Sequence, residues 1–129
     1  MGKGAYMSVT NNRAEPLTLF VSNQKCMYDH GAEGSNVSYF NNLTVPVASV
    51  LPDANGQYVE VKASSTGGDT CASETSSFDV EVNIGTVPLG TIKISERWNQ
   101  YSGTSTNTDD IKVDVGRGSD QDVIRVTIT

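Results

Sequence analysis

Phe78-Asp79-Val80-Glu81-Val82 alternates apolar and charged side chains, a period of two that sends Phe78, Val80 and Val82 to one face of an extended segment and Asp79 and Glu81 to the other. Wound as a helix, the same stretch would scatter its apolar residues around the cylinder, so it reads as a half-buried strand. The rhythm recurs on both sides. Upstream, Leu17, Leu19 and Val21 alternate with Thr18, Phe20 and Ser22, and Tyr58 and Glu60 with Val59 and Val61. Downstream, Ile92 and Ile94 flank Lys93; Ile111, Val113 and Val115 enclose Lys112 and Asp114; and Val123–Thr129 alternates through Ile124, Val126 and Ile128. Tyr6–Thr10, Val37–Phe40 and Val45–Leu51 bring the total to roughly eight or nine strands.

The punctuation between these runs is turn chemistry. Asn11-Asn12, Asp53-Ala54-Asn55-Gly56, Gly67-Gly68-Asp69 and Gly116-Arg117-Gly118 supply residues that tolerate positive φ. Pro16, Pro46, Pro52 and Pro88 fall at strand starts, edges or ends, where a missing amide donor does least harm. No segment carries apolar residues at helical spacing over the dozen residues that a parallel crossover needs, which excludes doubly wound folds. The expected fold is all-β: one antiparallel β-sandwich, Greek-key or jelly-roll like, spanning residues 1–129. Met7-Ser8 offers a second start, which would make residues 1–6 a prefix or a disordered lead-in. Two polar stretches, Ser64–Ser77 and Tyr101–Asp110, exceed what a hairpin needs and are the expected functional loops.

Composition narrows the partners. A net charge of −6, with nine Lys and Arg that never cluster, offers no track for a phosphate backbone, so nucleic acid is not an expected partner. No apolar stretch approaches the ~20 residues of a membrane-spanning helix. The N-terminus lacks the apolar core of a secretory signal, which favours a cytoplasmic over a secreted protein. Cys26 and Cys71 either remain two thiols or close one disulfide, which by loop entropy would contribute about 4 kcal/mol.

No catalytic centre is recognisable. Nucleophilic catalysis needs a base, and the single histidine, His30, sits in the turn-like Tyr28-Asp29-His30-Gly31 without a nucleophile motif. Glu60, Asp79, Glu81 and Asp114 alternate along strands, as on a solvated sheet face. Zinc lacks a His/Cys cluster. Calcium has weak candidates in Asp109 and Asp110 and in Asp120 and Asp122, if their two loops share one end of the sandwich.

The stretch that points most to recognition is Arg97-Trp98-Asn99-Gln100-Tyr101, which holds the only Trp, a Tyr and two amides at the end of a strand. Aromatic faces stack on sugar rings or settle at lipid headgroups, and amides pair with hydroxyls. Trp98, Asn99, Gln100 and Tyr101 therefore form an expected binding rim, which Tyr28, Tyr39 and Phe40 would extend. Against it stands a packing role: Trp98 in the core and Tyr101 closing the sandwich end.

The opening Val9-Thr10-Asn11-Asn12 followed by Leu17-Thr18-Leu19-Phe20-Val21, together with length and acidity, resembles the aegerolysins and other small acidic β-sandwich proteins, including nematode proteins up-regulated in long-lived insulin-receptor mutants. That resemblance implies a β-sandwich fold and binding to membrane-lipid headgroups. Three functions follow as expectations: a lectin-like module recognising a carbohydrate or glycoconjugate, a lipid-headgroup binder, and an interaction protein that forms a homo-oligomer through a sheet edge supplied by Val123–Thr129.

Overall fold

The computed structural model describes residues 4–27, 37–60, 75–118 and 120–129. The alternating runs form ten strands: β1 (Gly4–Asn11), β2 (Leu17–Lys25), β3 (Leu43–Val45), β4 (Ser49–Leu51), β5 (Gln57–Glu60), β6 (Ser76–Ile84), β7 (Val87–Arg97), β8 (Gln100–Ser105), β9 (Ile111–Gly116) and β10 (Asp122–Ile128). They assemble into two five-stranded sheets. The first runs β4-β1-β10-β9, with β5 also paired to β1; the second runs β3-β2-β6-β7-β8. The expected β-sandwich is the observed fold, with no α-helix among the described residues.

Each sheet turns its apolar phase inward. Ala5, Met7 and Val9 of β1 and Ile124, Val126 and Ile128 of β10 face Leu17 and Leu19 of β2, Phe78, Val80 and Val82 of β6, and Ile92 and Ile94 of β7, all essentially without solvent contact. Every pairing is antiparallel except β1 with β10, which run parallel from Ala5↔Asp122 to Asn11↔Ile128. These are the first and last strands, so the whole intervening chain connects them and no crossover helix is required. Asn11 locks the first corner. Its buried Nδ2 donates to Glu15 O at 2.9 Å and Val45 O at 3.1 Å, and its Oδ1 accepts from Arg13 N at 2.8 Å.

Several expectations are corrected. Val37–Phe40 is a single 3-10 turn rather than a strand, with Val37 and Phe40 buried; Asn42, at φ 55°, reverses the chain directly after it. Val45–Leu51 is two short strands in different sheets, because Pro46 lacks an amide donor and Ala48 takes φ 58°. Gly4–Tyr6 belong to β1, with Gly4 and Ala5 buried, so a disordered lead-in is ruled out for them. The terminal strand β10 is no edge: β1 occupies one side and β9 the other, leaving no free ladder for a second copy.

The largest correction concerns Tyr101–Asp110. Gln100–Ser105 is strand β8, and only the residues after Ser105 form a turn, held by Asn107 Nδ2 donating to Leu89 O at 3.0 Å and Asp110 Oδ2 at 2.9 Å. Gly103 faces inward, where any Cβ would come within 2.9 Å of Ile94 and closer still to Val113. That small residue lets β8 approach β9 and close one side of the sandwich, where Ser105 Oγ donates to Ile111 O at 2.8 Å. Of the other expected functional loop, Ser76 and Ser77 lie in β6, and residues 64–74 fall outside the described residues.

Candidate functional site: the Trp98 hairpin

Arg97 pairs with Gln100, leaving Trp98 and Asn99 as a two-residue turn between β7 and β8. Both take positive φ, 55° and 62°, as a type I′ turn requires. Asn suits that conformation, whereas a bulky residue there is an outlier. The strain is on the order of 1 kcal/mol. Nothing repays it through burial, since Trp98 is 81% exposed, the most exposed large apolar side chain among the described residues. The turn is held from within: Glu96, itself 7% exposed, accepts from Asn99 N at 3.0 Å. The Arg97 guanidinium lies 5.3 Å from the indole centroid while its Nη1 donates to Thr75 Oγ1 at 3.0 Å.

The structure therefore splits the expected rim. Trp98, Asn99 and Gln100 are exposed at the hairpin tip. Tyr101 is completely buried, because it is inward-facing in the phase of Gly103 and Ser105. A ring with no exposed surface cannot stack on a ligand, so Tyr101 lies beneath the exposed tip and is not part of the expected rim. Of the residues expected to extend the rim, Phe40 is buried against Tyr39 in an edge-on contact at 5.2 Å. Tyr28 lies outside the described residues, as does His30.

Beneath the tip the two sheets are joined by a polar brace. The backbone amide of Tyr101 donates to Asp122 Oδ2 at 2.9 Å, and Arg117 Nη1 donates both to Tyr101 O at 2.7 Å and to Asp122 Oδ2 at 3.0 Å. Asp122 is fully buried. Nearby, Tyr58 donates to Glu60 Oε1 at 3.2 Å, while Glu60 Oε2, also buried, has no hydrogen-bond partner among the described residues. Burial, and then the adjacent Glu60 carboxylate, push the Tyr58 phenol up to about 12. Tyr101 is pushed further in the same direction, chiefly by burial and secondarily by Glu96. Taking Glu60 for a solvated strand acid and Asp122 for a loop residue does not bring this cluster together. Glu60 is 1% exposed, and Asp122 and Glu96 follow the inward phase of Ile124 and Ile94. That phase, extended by one step, was the available signal.

The calcium candidates do not converge. β9 and β10 form an antiparallel hairpin in which Ile111 pairs with Ile128 and Gly116 with Val123. Asp109 and Asp110 therefore precede one end of β9, and Asp120 and Asp122 lie beyond the other, roughly 20 Å away at about 3.3 Å per residue. Asp110 binds Asn107, and Asp122 serves the brace. No group of three or more His, Cys, Asp or Glu positioned for a metal occurs among the described residues. Cys26 is disulfide-bonded; Cys71, the only other cysteine in the chain, lies outside the described residues.

The outer face of the second sheet carries a groove of about 390 Å³ lined by Ser77, Asp79, Lys93, Ile94, Ser95, Ser102, Gly103 and Thr104. Lys93, Ser95 and Arg97 share that face, as do Gln100, Ser102 and Thr104, so the groove leads directly to the hairpin tip. Among the described residues, no helix is long and apolar enough to cross a membrane.

No protein-family model matches the chain, and no curated protein matches it. Among solved structures, it is similar to that of RahU protein in complex with a TRIS molecule, at 12% identity and a TM-score of 0.53 over 98% of this chain and 96% of the other. At that identity the likeness is one of fold.

Proposed function

We propose that the protein is a non-enzymatic binding module that recognises a carbohydrate or glycoconjugate through the Trp98–Asn99 hairpin. The observation that carries this reading is an indole both strained at φ 55° and 81% exposed, a placement that burial does not repay. Its flat face suits the C–H face of a sugar ring. The Asn99 and Gln100 amides, exposed beside it, each present donors and an acceptor to hydroxyls. A glycan array tests the reading: the wild-type chain retains at least one glycan class and Trp98→Gly, which relaxes the turn, loses it. An array that stays blank, or binding indifferent to Trp98, overturns it.

A lipid-headgroup reading has its own support. The indole projects from a convex tip with a guanidinium 5.3 Å from its centroid, and such aromatic and cationic groups settle at the boundary between headgroups and acyl chains. The resemblance to aegerolysins points the same way. Sedimentation with liposomes of varied sphingolipid and sterol content separates the two: pelleting that needs Trp98 and no sugar favours lipid.

A further inference from the structure

We propose that the groove on the outer face of the second sheet is the saccharide subsite itself, holding one neutral hexose unit of the glycan whose next ring stacks on Trp98. This deepens the carbohydrate reading and rests on it. The groove exists because its rows are small: Ser77, Ser95 and Ser102 stand across β6, β7 and β8, with Thr104 beyond. A volume of about 390 Å³ lies within the range of small-molecule sites, above about 300 Å³.

Its chemistry suits an uncharged polyol. Asp79 and Lys93 neutralise each other at 3.1 Å, so the groove offers no net charge to concentrate an ion. Both hydrogen bonds that Asp79 accepts, from Lys93 Nζ and from Asn23 Nδ2 at 2.9 Å, reach Oδ2, leaving Oδ1 to accept from a sugar hydroxyl. The Lys93 ammonium has two further protons to donate. Ser95 and Ser102 share a hydrogen bond at 3.0 Å and can each donate or accept. One more step along β7 and β8, roughly 7 Å, brings Arg97 and Gln100, and the tip follows. Donors and acceptors thus alternate along a track that ends in an aromatic face, which is the sequence of groups an oligosaccharide presents in complementary form.

The experiment is titration of the full chain with the neutral oligosaccharides retained on the array, followed by amide chemical shifts and by affinity. Wild type is compared with Trp98→Gly, with Asp79→Asn, and with Ser102→Tyr, which fills the groove and leaves the ion pair in place; far-ultraviolet dichroism verifies each fold. The expected result is a loss of tenfold or more in both groove variants, with shifts at Lys93, Ser95 and Thr104 on binding. If wild type binds and Trp98→Gly fails while both groove variants bind normally, the subsite is wrong and the tip reading stands. Loss in the groove variants with Trp98→Gly unaffected keeps the subsite and removes the tip. A wild-type chain that binds no neutral glycan removes both.

Discussion

Removing Arg117 will cost more than removing Asp122, although Asp122 is the fully buried partner. The Arg117 side chain is 49% exposed and that of Asp122 1% exposed, with Nη1 and Oδ2 3.0 Å apart. Arg117→Ala takes the guanidinium at 3.0 Å away from a carboxylate inside the sandwich, a change worth about 3–5 kcal/mol when one partner of a buried pair is removed. Asp122→Ala instead leaves a half-exposed guanidinium that water rehydrates, and a buried Tyr101 amide without this acceptor. That amide accounts for about 1–3 kcal/mol. The double variant removes the buried carboxylate together with the guanidinium and should be no worse than Arg117→Ala, giving a coupling of at least about 1–3 kcal/mol. Urea unfolding at pH 7 with the disulfide intact reads all four corners of the cycle. At ~4 °C per kcal/mol for a chain of this size, Arg117→Ala should melt ~12–20 °C lower and Asp122→Ala ~4–12 °C lower. An Arg117→Ala loss below about 1 kcal/mol would mean that the pair behaves as a surface ion pair and the brace does not join the sheets.

Other outcomes follow from the same geometry. Trp98→Gly should melt at or slightly above wild type, because relief of about 1 kcal/mol of φ strain offsets the lost contact with Arg97; a drop of several degrees in thermal denaturation would mean that the indole packs. Asn11→Ala leaves the Arg13 amide and the Val45 carbonyl without their partner and should cost about 1–3 kcal/mol in urea unfolding, where a neutral result would remove its role as a lock. The Tyr58 phenol, raised from 10.0 to about 12, holds its proton longer folded than unfolded. Its contribution to stability is therefore complete below pH 10 and is lost as pH climbs from 10 to about 12. Tyrosinate absorbance of wild type against Tyr58→Phe should show one phenol titrating near 12, and its absence would contradict the Glu60 contact.

The sandwich was legible wherever apolar residues marked the inward phase. β2, β6, β7, β9 and β10 each carry a run of Val, Leu, Ile or Phe at alternate positions, and burial rewards that phase. β8 is illegible because its inward residues are Tyr101, Gly103 and Ser105, which do not differ in hydropathy from the outward Gln100, Ser102 and Thr104 clearly enough to mark a phase. The central position of β10 was equally hidden, since pairing partners distant in sequence leave no local trace. At the site, the run Arg97–Tyr101 drew attention by composition alone. Which of its residues face water depends on a two-residue turn, and Trp98 is an improbable residue for that turn. A charge is ordinarily solvated, so Glu60 is expected on an outer sheet face and Asp122 in a loop; that Asp122 and Glu96 are buried shows only in the register of the neighbouring Ile124 and Ile94.

Because the chain contains a single tryptophan, collisional quenching of its emission by acrylamide reports on the hairpin tip and nothing else. The free protein should quench as readily as a solvated indole, and addition of a glycan retained on the array should protect it saturably, with emission moving to the blue. Emission already shielded in the free protein, or quenching unchanged by every glycan offered, would contradict the assignment of Trp98 as the contact surface.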